Sequence, residues 1–466
     1  MGFDFQLLEN AGIQLIDGDR GKNYPKHNDF MENGYCLFLS AKNVTKSGFQ
    51  FQETLFINET KDRELRAGKL KYGDIVLTTR GTVGNVAYYD NNNPYKHIRI
   101  NSGMIIIRAD NKLWNPKFLY FILKSELLKE QIINLISGSA VPQLPARDIR
   151  KFILPVINRS LQNKITNIIS DINDKVNLNI EINQTLEKMS QTLFKSWFVD
   201  FDPVIDNALD AGNPIPEALQ ARAELRQKVR NCADFKPLPA KIRSLFPSEF
   251  EETELGWVPK GWLITSFNDL IELIGGGTPK TTVEEYWNGD IPWFSVVDAP
   301  NESAVYVLST EKSITAEGLK NSSAKLLRKG TTIISARGTV GKCAMVAVPM
   351  AMNQSCYGVS GKNKISDEYV YFQLKNVVQT LQQMGHGSVF NTITRDTFKN
   401  IKVPFCNEEL TNTYSTYVKK YFSKILNNNY QNIALTKLRD TLLPKLISGE
   451  LSVEELPDLI QKTEAA

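Results

Sequence analysis

The five-residue string Arg-Gly-Thr-Val-Gly occurs twice in this chain, at 80–84 and at 337–341. The match extends on both sides, through LKYGDIVLTTRGTVG (70–84) with LRKGTTIISARGTVG (327–341) and through KFLYFILKS (117–125) with EYVYFQLKN (368–376). These features follow in the same order in both copies, about 250 residues apart. Such a period is far longer than that of a solenoid repeat, so the pattern indicates two copies of a whole domain.

Each copy has the sequence pattern of strands and turns with a few helices. The β-rich runs at 75–77 and 331–334 predict strands that lead into the repeated string. The two glycines of that string predict a turn with positive φ. Helices are expected at 115–135 and 366–384. We therefore expect an α+β protein with two mixed α/β domains around curved sheets.

A long helix is predicted after each copy, because apolar residues at 165–196 recur with a period near 3.5. The same heptad, 249 residues later, repeats the polar interruptions of the first: Lys424 corresponds to Lys175 and Asn428 to Asn179. A buried Asn in such a seam costs stability but fixes register, so the two helices are expected to pair with each other. The alternative is that each packs separately on its own domain. The predicted pairing residues are Ile165, Ile172, Lys175, Asn179, Leu186, Leu193, Tyr421, Lys424, Asn428, Leu435 and Leu442.

The expected layout alternates domains and helices, with a pseudo-twofold relation between the halves. Its parts are a first domain at 1–157, a first spacer helix at 158–201, a connector at 202–255, a second domain at 256–406, a second spacer helix at 407–455 and a tail at 456–466. In the connector, a helix is expected after the prolines of NPIPEALQARAELRQKVRN, followed by an extended link through KPLPAKIRSLFPSEF.

Composition and motifs give no positive support for catalysis. The five cysteines are scattered and the three histidines have no metal-ligand spacing, so neither a disulfide framework nor a metal site is expected. In GGGTPKT (275–281) proline stands where a phosphate loop needs glycine before its lysine. No cofactor is predicted. The chain has neither a long apolar run nor a secretory leader, which favours a cytoplasmic protein.

Several segments together resemble the DNA-specificity subunit of type I restriction–modification systems. They are LIDGDRGKNYP (15–25), CLFLSAKNV (36–44), LFKSWFVDFDP (193–203), ELGWVPKGW (254–262), GGGTPKTTVEEYWNGDIPW (275–293), LLPKLISGEL (442–451) and both copies of RGTVG. The resemblance covers nearly the whole chain. It implies two target-recognition domains held apart by two antiparallel helices, each domain recognising half of a split DNA site. It also implies that the helices set the spacer and dock two methyltransferase subunits, that restriction subunits join the larger complex, and that the subunit itself is not an enzyme.

Charge and sequence identity suggest which residues contact DNA. Lysine and arginine exceed aspartate and glutamate by five in 1–157 and by three in 256–406, and both segments contain the repeated string. Residues identical in both copies cannot distinguish two half-sites. Arg80 and Arg337 are therefore expected either to contact phosphate, which every DNA sequence shares, or to hydrogen-bond backbone carbonyls. Base contacts are expected where the copies diverge. The candidate DNA-binding residues are Lys22, Asn23, Tyr24, Lys26, Arg80, Thr82, Gln143, Thr278, Lys280, Tyr286, Trp287, Arg337, Thr339 and Asn391.

The aromatic residues that close the first helix have two interpretations. Trp197, Phe198 and Phe201 either belong to a core or form an apolar surface on which a partner docks. For the chain as a whole, two rival hypotheses stand beside DNA recognition: a hidden nuclease or methyltransferase centre, and a scaffold that binds protein but no DNA.

Overall fold

A computed structural model of the chain describes residues 3–137, 142–300, 304–384 and 392–456. Contacts divide the chain into two units, of which the first comprises Met1–Val176 with Ile433–Ala466 and the second Asn177–Asn432. Each unit contains one copy of the duplicated domain. In the described part of the chain, no helix is long and apolar enough to cross a membrane.

The central sheet has the same strand pairing in both units. In the first unit its order is Ile13–Asp17, Met104–Ala109, Ile75–Thr78, Val86–Tyr88, all antiparallel. In the second unit the order is Ile271–Gly275, Cys356–Gly361, Thr332–Ser335, Cys343–Val346, with Tyr306–Val307 added in parallel at the edge. The strands before RGTVG are fully buried, which agrees with their β-branched composition.

Smaller sheets complete each domain. The first unit contains the sheet Phe56–Ile57, Cys36–Leu39, Ile98–Ile100 and the pairs Phe5–Leu7 with Ile153–Pro155 and Val44–Thr45 with Gly48–Phe49. The second contains the sheet Lys312–Ile314, Trp287–Phe294, Ala351–Met352 and the pairs Leu263–Ser266 with Lys402–Phe405 and Phe250–Thr253 with Gly256–Pro259.

Short helices lie where the sequence predicts them. The prediction at 115–135 corresponds to two helices, Pro116–Lys124 and Glu126–Leu135, and that at 366–384 to Asp367–Met384. Asn115 starts the first of these, because its side chain accepts hydrogen bonds from the amides of Lys117 and Phe118. Outside the connector, the other short α-helices among the described residues are Glu59–Glu64, Ala146–Ile149, Phe267–Leu270, Ala316–Lys320 and Arg395–Asn400.

The two long helices are Arg159–Phe198 and Glu408–Ser448, and each contributes one part to each unit. Within the second unit, Asn179 donates to Asn432 at 2.8 Å and Asn428 donates to Asn183 at 2.8 Å. Because the partner number falls as the residue number rises, the helices are antiparallel. The two hydrogen bonds are equivalent under the 249-residue shift, so the duplication extends to the helix pair.

The buried seam differs from the predicted heptad at its second position. Ile165, Asn179 and Asn428 are buried, and the other predicted apolar pairing residues are half-buried: Ile172, Leu186, Leu193, Tyr421, Leu435 and Leu442. Lys175 and Lys424, however, are exposed and do not belong to the seam. At this second heptad position the buried residues lie one residue later than predicted, and they include Ile169, Asn183, Ser190 and Trp197. A helix with 3.6 residues per turn drifts relative to a 3.5-residue repeat, and charged side chains favour the solvated face.

The connector is more regular than the sequence predicts. It contains Asp202–Ala211, Gln220–Arg230 and a short helix, Ala240–Arg243, within the segment expected to be extended. Three ion pairs join the first two helices at matching four-residue steps: Arg222 with Asp202, Arg226 with Asp206 and Arg230 with Asp210. The first helix, which follows Phe201 directly, is not among the predicted elements, although Pro203 in its first turn is typical of a helix start.

The chain's first strand is held by elements from far along the sequence. Phe5–Leu7 pairs with Ile153–Pro155, and the amide of Phe3 donates to the carbonyl of Ser448 at 3.4 Å. Within the first unit, residues 3–7 therefore contact both the end of the first domain and the end of the second long helix.

Candidate nucleic-acid interface

The repeated string forms the same loop in both domains. The hydroxyl of Thr78, at the end of its strand, bonds the carbonyl of Thr82 and accepts from the amide of Asn85 at 2.9 Å. In the second domain Ser335 bonds the carbonyl of Thr339 and accepts from Lys342 at 2.9 Å. One hydroxyl thus closes the turn in each copy.

All four glycines of the two loops have positive φ, as the sequence predicts. The values are 74° at Gly81, 95° at Gly84, 78° at Gly338 and 90° at Gly341. Residues with a Cβ rarely adopt this region, which accounts for the two glycines in each copy.

The arginine of each loop is fixed through its backbone while its side chain points to solvent. The segment of Arg80 bridges to Gln143, and Arg337 forms the equivalent bridge to Thr392. Both arginines are exposed. Neither guanidinium makes a hydrogen bond or ion pair with any residue in the described ranges, so the carbonyl-binding alternative has no support there. The side chains of Thr82 and Thr339 are exposed beside them.

A short turn occupies the same place in both domains, just before an equivalent strand, and lies beside each loop. Asn101 Oδ1 accepts from the amide of Gly103 at 2.9 Å, and the carbonyl of Gly103 accepts from Arg80. In the second domain Asn353 Oδ1 accepts from Ser355 at 3.0 Å, and the carbonyl of Ser355 accepts from Ala336. We call these segments, 101–103 and 353–355, the Asn turns.

A glycine packs on each Asn turn so closely that no other residue fits. A Cβ on Gly18 would lie 2.2 Å from the carbonyl oxygen of Asn101, and one on Gly276 would lie 1.8 Å from that of Asn353. The strand register agrees, since Asp17 faces Ile105 and Gly275 faces Tyr357. The residues after these glycines therefore correspond one to one, so that Arg20 is equivalent to Thr278.

Both loops lie within segments of the chain that match a known protein family. The model of the type I restriction modification DNA specificity domain matches residues 11–188 and 259–439, which is more than half of the chain and covers both copies. The chain belongs to this family.

Relatives and a solved structure agree with the assignment. The chain is 29% identical over 456 residues to the type I restriction enzyme HindI specificity subunit of Haemophilus influenzae, covering 93% of this chain and 98% of that protein. It is 31% identical over 199 residues to the MjaIX specificity subunit of Methanocaldococcus jannaschii, covering 42% and 46%. The crystal structure of the S subunit from M. genitalium has a TM-score of 0.51 at 15% identity, with 96% of both chains covered.

The first-domain candidates of this specificity subunit differ in their surroundings. Lys22 and Lys26 are exposed, and Gln143 is exposed on the segment bridged to Arg80. Asn23, by contrast, donates to the carbonyl of Glu64 at 3.3 Å, and the ring of Tyr24 packs edge-on against Phe38 at 5.7 Å. These internal contacts give Asn23 and Tyr24 structural roles in their loop.

The second-domain candidates divide in the same way. Thr278 bonds the side chain of Gln354 on the Asn turn, and Lys280 is exposed. Trp287 packs edge-on against Trp293 at 5.1 Å. Tyr286 is half-buried and its carbonyl accepts from the amide of Thr315. Asn391 lies outside the described residues.

Two side chains beside the arginine loops are absent from the sequence-based candidates. Arg20 lies beside the first Asn turn and Gln354 lies in the second, and their correspondence follows from the Gly18 and Gly276 contacts rather than from a string match. The neighbouring Asp19 accepts from the amides of Gly21 and Arg66 at 2.7 Å each, and these bonds hold the pKa of its carboxyl below the usual value. The loop that carries Arg20 is therefore anchored by an ionised aspartate.

The predicted docking aromatics of the specificity subunit are core residues. Trp197, Phe198 and Phe201 are 1%, 4% and 6% exposed, and they pack with Trp262, Tyr369 and others in the second unit. The prediction that these three residues form an apolar surface for a partner is therefore wrong, because neighbours within the same unit already cover them. The core interpretation describes them.

Proposed function

We propose that this chain is the non-catalytic, cytoplasmic subunit through which a type I restriction–modification complex recognises DNA. Each domain recognises one half of a split, asymmetric site in double-stranded DNA. The observation that carries the proposal is the RGTVG loop, which is built twice from equivalent hydrogen bonds and leaves an exposed arginine each time.

The contrast between shared and divergent features supports two separate recognition events. The loop, the Asn turn and the glycine that packs on it are common to both domains, so they suit contacts to the phosphate backbone. The segments around them, such as 19–26 and 277–287, differ in sequence and in contacts. Half-site preference is expected to lie in those segments.

The long helices are proposed to set the spacer of the DNA site and to dock two methyltransferase subunits, with restriction subunits joining the full complex. Their antiparallel pairing and the equivalent asparagine hydrogen bonds support a link of defined length. Catalysis is assigned to those partners.

Exchange of one domain tests the proposal. Residues 1–150 are replaced by the corresponding domain of a relative, and the methylated motif is determined by sequencing DNA from cells that carry the complete complex. One half of the motif is expected to change while the other half and the spacer stay the same. A simultaneous change in both halves would show that the two domains do not act independently.

A second measurement addresses the enzyme hypothesis. The purified chain without partners is incubated with labelled S-adenosylmethionine and DNA, and a gel shift is run on the same sample. Binding of DNA without methyl transfer is expected. Methyl transfer by the lone chain would overturn the non-catalytic assignment, and absence of binding by both the chain and the assembled complex would favour the scaffold hypothesis.

A further inference from the structure

Each Asn turn and the loop beside it form a pair of one long and one short polar side chain, and the long side chain lies on opposite members of the pair in the two domains. In the first domain the long polar side chain is Arg20, and the turn presents the short Ser102. In the second domain the short side chain is Thr278, and the turn presents the long Gln354. Both pairs lie next to the arginine loops, because the same Asn turn holds the arginine's strand through its last carbonyl.

Arg20 is held through one terminal nitrogen of its guanidinium, and its other donors are free among the described residues. Its Nη2 donates to Asp17 Oδ1 at 3.2 Å and to the carbonyl of Ser102 at 3.5 Å, and the side chain is 53% exposed. An exposed ion pair of this kind contributes little to stability, and its effect here is to orient the guanidinium. The Nε and Nη1 donors have no partner within the described ranges.

Gln354 is oriented by the opposite side of its site. The hydroxyl of Thr278 donates to Gln354 Oε1, and the Gln354 side chain is exposed. That bond holds one end of the amide group against Thr278. It leaves the amide nitrogen without an acceptor in the described part of the chain, and Oε1 retains a second lone pair.

We propose that Arg20 and Gln354 are the base-contacting side chains of the first and second domains, and that Thr278 is a positioning residue for Gln354. The inference rests on the proposed function, in which each domain recognises half of the site. An arginine pairs with the two acceptors of guanine, and a glutamine pairs with the donor and acceptor of adenine in the major groove. The first half-site therefore contains a guanine contacted by Arg20, and the second an adenine contacted by Gln354.

The test uses the full chain assembled with its modification subunits. The motif methylated by the unmodified complex is determined first, and duplexes with one base pair altered at a time then compete for binding. Gln354→Ala is expected to lower the preference for one adenine of the second half by about tenfold to a hundredfold and to leave the first half unchanged. Arg20→Ala is expected to do the same for one guanine of the first half.

Two exposed lysines supply controls, because each lies just after the strand that follows an Asn turn, at the end away from that turn. Lys112→Ala and Lys362→Ala are expected to change no base preference. Thr278→Ala should weaken the adenine preference, and Thr278→Ser should restore it, because serine keeps the hydroxyl. A role in stability alone would not depend on one base pair.

Two results separate this inference from the proposed function. If Gln354→Ala and Arg20→Ala weaken binding to all duplexes equally, with a shallower salt dependence, both side chains contact phosphate and the assignment is wrong. It is equally wrong if both variants keep every base preference. If instead the unmodified complex has no motif with two independent halves, the proposed function itself fails.

Discussion

The two units attach their domains to the long helices with different chemistry. In the second unit Lys375 pairs with Glu187 at 2.7 Å, and the two side chains are 24% and 9% exposed. The equivalent lysine of the first unit, Lys124, donates to the hydroxyl of Tyr120 at 3.3 Å and lies over the ring of that tyrosine, and Thr436 stands at the position of Glu187. Burial lowers the pKa of Lys124, and the positive charges of Arg439 and Lys129 lower it further.

This difference shows where a duplicated protein tolerates divergence. The arginine loops and the asparagine hydrogen bonds between helices keep the same geometry. The lysine contact between domain and long helix, which we call the junction, differs, because the first unit has Lys124 but no carboxylate at the position of Glu187. A partly buried ammonium without an opposite charge beside it is costly, so the first junction is expected to be the weaker one.

The largest expected change comes from lengthening both helices. Seven residues are inserted after Glu181 and after Asn429, which separates the hydrogen bond of Asn179 with Asn432 from that of Asn183 with Asn428 without breaking either. A heptad keeps the helical phase and adds about 10 Å at ~1.5 Å per residue. The methylated motif is expected to keep both half-sites and to gain a spacer longer by about two to four base pairs.

About three extra base pairs in the spacer also rotate one half-site by about 100° about the DNA axis, at ~10.5 base pairs per turn. Weaker binding is therefore expected. Insertion in only one helix is the control and should disrupt pairing. An active double-insertion variant with an unchanged spacer would show that the helices do not set it.

The next effect concerns the core of the second unit. Trp197→Ala is expected to lower the free energy of unfolding of that unit by about 3–5 kcal/mol, because the side chain is fully buried. Leu446→Ala, at the equivalent position, should act on the first unit. Hydrogen exchange distinguishes the units. Unchanged stability with weaker binding of modification subunits would return Trp197 to a docking role.

Removing the carboxylate of the second junction should make it resemble the first. Glu187→Gln is expected to destabilise the second unit by about 2 kcal/mol, since Lys375 loses a charged partner in a partly buried site. Chemical denaturation measures the change. Glu181→Gln, on the exposed face of the same helix, is the matched control and should have no effect.

The reverse substitution should repair the first junction. Thr436→Glu places a carboxylate at the position equivalent to Glu187 and is expected to stabilise the first unit by about 0.5–1 kcal/mol. Thr436→Gln has a similar size without the charge and should not. Equal stabilities of the two variants would mean that Lys124 does not reach this position.

The smallest effect is expected to be the same in both units. Arg80→Ala and Arg337→Ala should each weaken binding to all DNA sequences and reduce the salt dependence by about one unit, as for loss of one phosphate contact. Gel shifts at several salt concentrations measure it. Relaxed preference at a single base pair, with the salt dependence unchanged, would make that arginine a base-contacting residue.

The sequence predicts the elements that depend on local pattern. The duplication, the RGTVG turns with positive φ and the short helices at 115–135 and 366–384 all follow from repeats, glycine and apolar spacing. Only the second position of the heptad is misplaced, by one residue. Asn183 and Ser190 are buried there although the preceding Ile182 and Met189 are more apolar, so apolar content does not identify the buried position. Lys175 and Lys424 mark that difference, since both are exposed.

The site is less accessible to sequence reasoning than the fold. Asn23 and Tyr24 have suitable chemistry for DNA contacts, yet a carbonyl of Glu64 and the ring of Phe38 already engage them. Arg20 and Gln354 escape notice because their equivalence depends on which backbone carbonyl Gly18 and Gly276 approach. Such contacts between distant segments appear only in three dimensions.

The division of the chain into units has a consequence for biosynthesis. The second unit is one continuous segment, Asn177–Asn432, whereas the first also needs residues from Ile433 onward. Leu443, Leu446 and Ile447 share a core with Ile165 and Ile169, so these isoleucines lack part of their core until residues 443–447 leave the ribosome. The domain that is synthesised first is thus completed last, and a prematurely terminated chain would present its unfinished apolar face to chaperones and proteases.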